Sequence, residues 1–147
     1  MINTPYREGI AIPLVVAAGM TITEGELVAV NSDGHAVPAT DVSAKYLIGR
    51  AESTFTTTAT QTNSTITVTR NRQFLLSNDA TNPVSAADIG KVVVLNGKNT
   101  VAKPVEGGSA DALGVGALMG VDYSGKVWVD VGGTPIGIVA GSAGDVL

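Results

Sequence analysis

An all-β fold, a small antiparallel barrel or sandwich with an internal two-fold repeat, follows from three features of these 147 residues. Apolar material is 44 % of the chain, yet aromatics are only 4 % and glycines number 18, so the core is built from Val, Leu, Ile and Ala between tight turns. Several runs alternate with period two, as in Ile66-Thr-Val-Thr69 and Val127-Trp-Val-Asp-Val131, the signature of strands with one buried face. One phrase also occurs twice. Gly25-Glu-Leu-Val-Ala-Val-Asn31 is echoed by Gly90-Lys-Val-Val-Val-Leu-Asn96, each a glycine, an apolar strand and a turn.

The elements follow in order. Met1–Gly9 is polar, carries Pro5, and reads as an extended arm. Ile10–Val16 is a strand that Pro13 confines to an edge, because proline donates no ladder hydrogen bond. Gly25–Val30 is the next strand, Asn31-Ser-Asp-Gly34 turns the chain, and His35–Pro38 returns. Tyr46–Ala51 follows a polar connection. Two strands are expected in the Thr-rich stretch from Ser53 to Thr69, turning near Thr62–Ser64, since β-branched threonine suits a pleated, half-exposed surface.

Arg72–Ser77 is a further strand, and Ser85–Asp88 predicts one helical turn capped by Ser85 and ended by Gly90. At most one or two such turns are expected in the whole chain. Asn96-Gly97 predicts a two-residue hairpin loop with positive φ at both positions. Thr100–Pro104, Leu113–Met119 and Lys126–Val131 complete the strands.

The two copies span about residues 25–70 and 90–131 of a single β domain, 1–131. Gly25 to Gly49 is 24 positions and Gly90 to Gly116 is 26, whereas the Thr-rich stretch is an insertion in the first copy alone. Residues 132–147 form a Gly-rich but apolar extension, expected to order against a neighbouring subunit or to close the fold as a strand.

Composition also narrows function. A net charge of −4 and a pI near 4.7 argue against nucleic-acid binding, which needs a concentrated basic face. There is no cysteine, hence no disulfide, thiolate nucleophile or Cys-ligated metal. The apolar run Ile10–Ala18 is broken by Pro13 and preceded by Arg7-Glu8, which argues against a signal peptide. No run approaches the roughly 18 apolar residues of a membrane span, so a soluble protein is expected. So ring-poor a core points to stability completed by an oligomer or a partner surface.

Motifs for chemistry are weak. Gly120-Val-Asp-Tyr-Ser-Gly-Lys126 imitates a P-loop, but Val127 replaces the hydroxyl that would hold magnesium and a strand follows where a helix is needed. Gly114-Val-Gly-Ala-Leu-Met-Gly120 imitates a dinucleotide fingerprint with its third glycine one residue late; these glycines read as close packing and bulges. His35 is a lone histidine beside a turn, and Asp33-Gly34 lacks the other ligands of a calcium loop. Asn63-Ser-Thr65 is a formal glycosylation sequon. Arg70 and Arg72 read as a solvated edge that discourages aggregation, with pairing to a partner's carboxylates as the alternative. No enzyme, cofactor or metal site is expected.

The order of features resembles the small capsid cement, or head decoration, proteins of tailed bacteriophages. The resemblance rests on Tyr6-Arg-Glu-Gly9 before an apolar strand, Gly25-Glu-Leu-Val-Ala-Val30, a Thr-rich middle, Ala87-Asp-Ile-Gly-Lys-Val-Val-Val-Leu-Asn96, Ala112-Leu-Gly-Val-Gly-Ala117 and Gly125-Lys-Val-Trp-Val-Asp-Val131. It covers roughly Tyr6 to Val131, while the Thr insertion and the 132–147 extension depart from the family pattern. It implies a β-rich homotrimer, made in the bacterial host cytoplasm, that clamps major capsid protein on the outer head surface without nucleic acid or membrane. Tyr6, Arg7, Ile136, Ile138, Val146 and Leu147 are then the candidate capsid or neighbour contacts. A tail, baseplate or surface adhesion module is the alternative.

Overall fold

The computed structural model describes residues 2–5, 7–61, 63–104, 112–133 and 135–139. Its strands are β1 (Ala11–Val15), β2 (Thr21–Ile22), β3 (Leu27–Val30), β4 (Ala36–Pro38), β5 (Tyr46–Ala51), β6 (Phe55–Thr56), β7 (Thr65–Thr69), β8 (Arg72–Asn78), β9 (Val92–Leu95), β10 (Thr100–Ala102), β11 (Ala112–Val121), β12 (Val127–Val131) and β13 (Ile138–Val139). One 3₁₀ turn, Ala86–Asp88, precedes β9. The chain is all-β.

The repeat is visible in the hydrogen-bond register. β8, β10, β9, β11 and β12 form a closed five-stranded barrel, sealed by β12 on β11 and by the parallel pair β10–β8. β1, β7, β5, β3 and β4 run in the same order, and a parallel bridge from Val16 to Ala36 joins the ends of that sheet as Asn78 to Val101 joins the second. β3 pairs with β5 as Val28↔Gly49 and Ala29↔Leu47, skipping Ile48; β9 pairs with β11 as Val93↔Gly116 and Val94↔Gly114, skipping Val115. Both copies carry the same bulge.

The copies begin one strand earlier than the 25–70 and 90–131 boundaries read from the sequence. β1 and β8 are equivalent first strands, for Ile12 faces Val68 as Phe74 faces Val129. β1 and β8 share only an inward apolar pair, Ile12 and Leu14 against Phe74 and Leu76, too little to mark the repeat beside the longer phrases. Pro13 lies on the exposed side of β1 opposite Thr67, within a ladder that has only β7 beside it.

Alternation divides the core. Val16, Val28, Ala36, Ala51, Ile66 and Val68 fill the first barrel, with Ile22 of the small β2–β6 ribbon packed among them. The intervening residues Leu27, Ala29, Val37 and Leu47 point out of that barrel and belong to the cluster that fills the second, with Val93, Val101, Leu118, Val127 and Val129. β3 is therefore buried on both faces, which explains its near-continuous apolar run. The outer face of the first barrel thus joins the second barrel's cluster, while its interior is a separate one.

Two glycines hold corresponding places. A Cβ on Gly49 would overlap the Thr69 carbonyl oxygen, and one on Gly116 would overlap that of Asp130. Removing the side chain lets the bulged strand lie directly on its neighbour, and this is why Gly is the residue shared at that point of each copy.

Candidate functional site

Most turns are closed by local polar side chains. Asn31 Oδ1 accepts the N–H groups of Asp33 and His35, both at 3.0 Å, and Gly34 takes φ of 79°. His35 is half-buried after that turn, more enclosed than a solvated turn histidine. In the second copy Asn96-Gly97 does not make the expected two-residue loop. The chain runs from Asn96 to Thr100 before pairing resumes, with positive φ at Gly97 and Asn99.

The longer loop has a use. Asn99 accepts the Leu27 N–H through Oδ1 at 2.9 Å and donates through Nδ2 to the Gly25 carbonyl, also at 2.9 Å. A side chain of the second barrel thus satisfies both polar groups at the entry to β3 in the first. Arg50 adds to the junction, its guanidinium 5.0 Å from the Phe74 ring centre.

The Thr-rich insertion folds inward as well as outward. Thr57 is buried, donates to the Ala17 carbonyl at 2.6 Å and accepts the Met20 N–H at 2.9 Å. Phe55 packs against the first core. On β7, Thr65 and Thr67 remain exposed.

Among the described residues Asp88 is the most enclosed carboxylate, with Glu26 close behind. It accepts the Ser85 N–H at 2.8 Å, and Lys91 Nζ and Lys103 Nζ stand 3.7 and 3.8 Å away. The Ser85 N–H foremost, then the Lys103 and Lys91 charges, hold its carboxyl below the usual carboxylate range. The Asn82 N–H does the same for Asp79, the Ser124 hydroxyl for Asp122, and the Thr69 hydroxyl followed by Arg50 for Glu52. These groups fix turns. Among the described residues, no group of three or more His, Asp or Glu side chains could hold a metal ion.

The imitation P-loop is a hairpin turn between β11 and β12, closed by Gly125 N–H to the Asp122 carbonyl, with Lys126 exposed. Gly114 and Gly116 sit in β11 at close approaches and at a bulge, as the sequence suggested.

Of the candidate contact residues, Tyr6, Val146 and Leu147 lie outside the described residues. Arg7 is exposed in an arm whose Ile2 is 91 % exposed. The root of this arm is held by Arg70, which donates through Nη1 to the Gly9 carbonyl at 3.2 Å and through Nη2 to the Gly133 carbonyl. Arg70 is therefore a clasp between the two peripheral segments and not the solvated edge residue expected. Arg72 is exposed.

Residues 135–139 lie on their own chain. Gly114 N–H donates to the Gly137 carbonyl, Ile136 covers the space beside Gly114, Gly137 lies against the Tyr46 ring, and Ile138 pairs with Leu113 while staying 47 % exposed. This strap touches both barrels and borders a groove of about 380 Å³, with Ala39, Val42, Val94 and Leu113 as apolar wall and Asp41, Asn82, Asn96 and Lys103 as polar rim. Compared with family models, with curated proteins and with solved structures, the chain matches none.

Proposed function

We propose that this chain is a virion structural protein: a cement protein that binds the outside of a tailed-phage head as a trimer and stabilises it. The observation that carries the reading is the exposed N-terminal arm, whose root Arg70 clasps to Gly133 at the side of the double barrel. The second barrel is closed and presents no open sheet edge, so its contacts with a lattice fall to such segments and to surface patches. An acidic chain is repelled by packaged DNA, which favours the outer surface. Many weak contacts repeated over a shell gain strength by multivalency without one tight site.

The test is to add purified protein to heads that lack it. Restored resistance to heat or chelators, lost when residues 1–9 are deleted, is the expected result. Protein that neither binds nor protects such heads removes the reading. The exposed Thr65 and Thr67 on the first barrel favour a second reading, an adhesion module of a tail or baseplate. Labelled protein found on tails or on cell surfaces, and not on heads, would select it.

A further inference from the structure

The internal repeat provides its own control for surface composition. Outward positions on β8 and β12 in the second barrel correspond to outward positions on β1 and β7 in the first: Leu75 to Pro13, Trp128 to Thr67, Lys126 to Thr65 and Asp130 to Thr69. The first barrel meets the fold's needs there with three threonines and a proline. The second places Leu75 and Trp128, each 38 % exposed, directly opposite one another. Met119, in the bulge between Leu118 and Gly120, extends the row at 43 % exposure. Gly120 lies opposite Trp128 with the indole Cδ1 3.6 Å from where its Cβ would be, so the row is flat. Nothing in the fold requires this apolar row.

Its charges are arranged about it. Lys126, just before β12, and Asp130 within it flank Trp128, two residues away on either side and about 13 Å apart if the segment is extended. Both are exposed, and among the described residues neither side chain makes an ion pair or hydrogen bond. A two-fold contact brings residues on its axis against themselves and residues off it against their opposites. With an axis lying in the contact plane, at right angles to β12 and over Trp128, Leu75 and Trp128 meet their own copies. Lys126 then meets the second copy's Asp130, and Asp130 its Lys126. Apolar groups stand where self-contact is needed and opposite charges where exchange is needed.

We propose that the Leu75–Trp128–Met119 face is a two-fold docking surface for a second copy of this chain. Tryptophan at the centre of a polar-rimmed patch is the usual anchor of such contacts. The patch is small beside the roughly 800 Å² per partner of a stable complex, so a single contact is weak and fits linkage between units already held side by side. The inference does not depend on the capsid reading, since self-association is measured on the isolated chain.

Sedimentation or light scattering over a concentration series reads it. The wild-type mass rises with concentration, doubling where the low-concentration unit is a monomer and growing by whole trimers where it is a trimer with three such faces, and Trp128 emission shifts to the blue. Lys126→Glu and Asp130→Lys each weaken association by about tenfold or more, because each places like charges together twice. The double variant K126E/D130K restores association to within about threefold of wild type, since the opposite charges meet again with their signs exchanged. Trp128→Ser abolishes it; circular dichroism stays as in wild type for every variant and melting does so for the charge variants, whereas Trp128→Ser melts lower because the ring is only 38 % exposed and packs on Leu75 and Gly120. A wild-type mass that stays constant up to about 1 mM overturns the proposal. So does a double variant that remains as weak as the singles, because the face would then serve a different partner.

Discussion

Removing Asn99 tests how the two barrels are joined. Its side chain makes two hydrogen bonds across the junction, and its backbone sits at φ of 49°, where most side chains are strained. Asn99→Gly keeps the backbone at ease and removes only the bonds. The Leu27 N–H then has no acceptor beside a residue only 1 % exposed, a cost of about 1–3 kcal/mol, and the lost Gly25 contact adds about 1 kcal/mol. Asn99→Ala adds a left-handed penalty of about 1 kcal/mol or more. The glycine variant should therefore lose about 2–4 kcal/mol and the alanine variant about 1 kcal/mol beyond it. In a domain of this size about 1 kcal/mol moves Tm by roughly 2–4 °C. Urea unfolding followed by Trp128 fluorescence measures both. If the glycine variant lies within about 0.5 kcal/mol of wild type, water replaces Asn99 freely and the junction does not depend on it.

Gly49→Ala and Gly116→Ala should each cost more than about 4 kcal/mol or prevent folding, because the clash is with backbone carbonyls that cannot move aside; soluble expression and melting decide. Asp88 has its carboxyl lowered in the folded state, so its contribution is present above the ordinary carboxylate pKa of about 4 and is lost as pH falls through the lower folded value. Melting from pH 6 to pH 2 should show a smaller acid-induced loss for Asp88→Asn than for wild type, with Asp79, Asp122 and Glu52 supplying the remainder by the same sign. Arg70→Ala should leave Tm within a few degrees yet speed proteolytic cleavage near Gly9 and Gly133, read by mass spectrometry.

Much of the fold was legible because strand periodicity is local. Val127-Trp-Val-Asp-Val131 alternates in sequence and alternates buried and exposed in space. The paired phrases from Gly25 and Gly90 and the matched Gly49 and Gly116 marked equivalent strands, since the bulge they serve recurs. β1 and β8 were missed as members of the copies. Their equivalence lies in which strand they pair with, and in sequence Ile12 and Leu14 match Phe74 and Leu76 only as a short apolar pair.

The interaction surfaces were less legible. Asn96-Gly97 carries a strong local turn signal, but Asn99 lengthened the loop for the sake of two groups more than 70 residues away. Arg70 looked like one of two surface cations until its partners, Gly9 and Gly133, were placed beside it. Trp128 was visible as a strand residue, but only the comparison with Thr67 at the same point of the first barrel marks its face as a surplus of apolar surface.

The sequence by itself determined strands, turns and an internal repeat, because these depend on which side chains tolerate a pleat, a bulge or a positive φ within a few residues. Tertiary structure alone decided that the copies are two barrels packed outer face to core and which loop bridges them. It also set a row of apolar side chains between opposite charges. Those outcomes depend on register and closure, which bring together residues far apart in the chain.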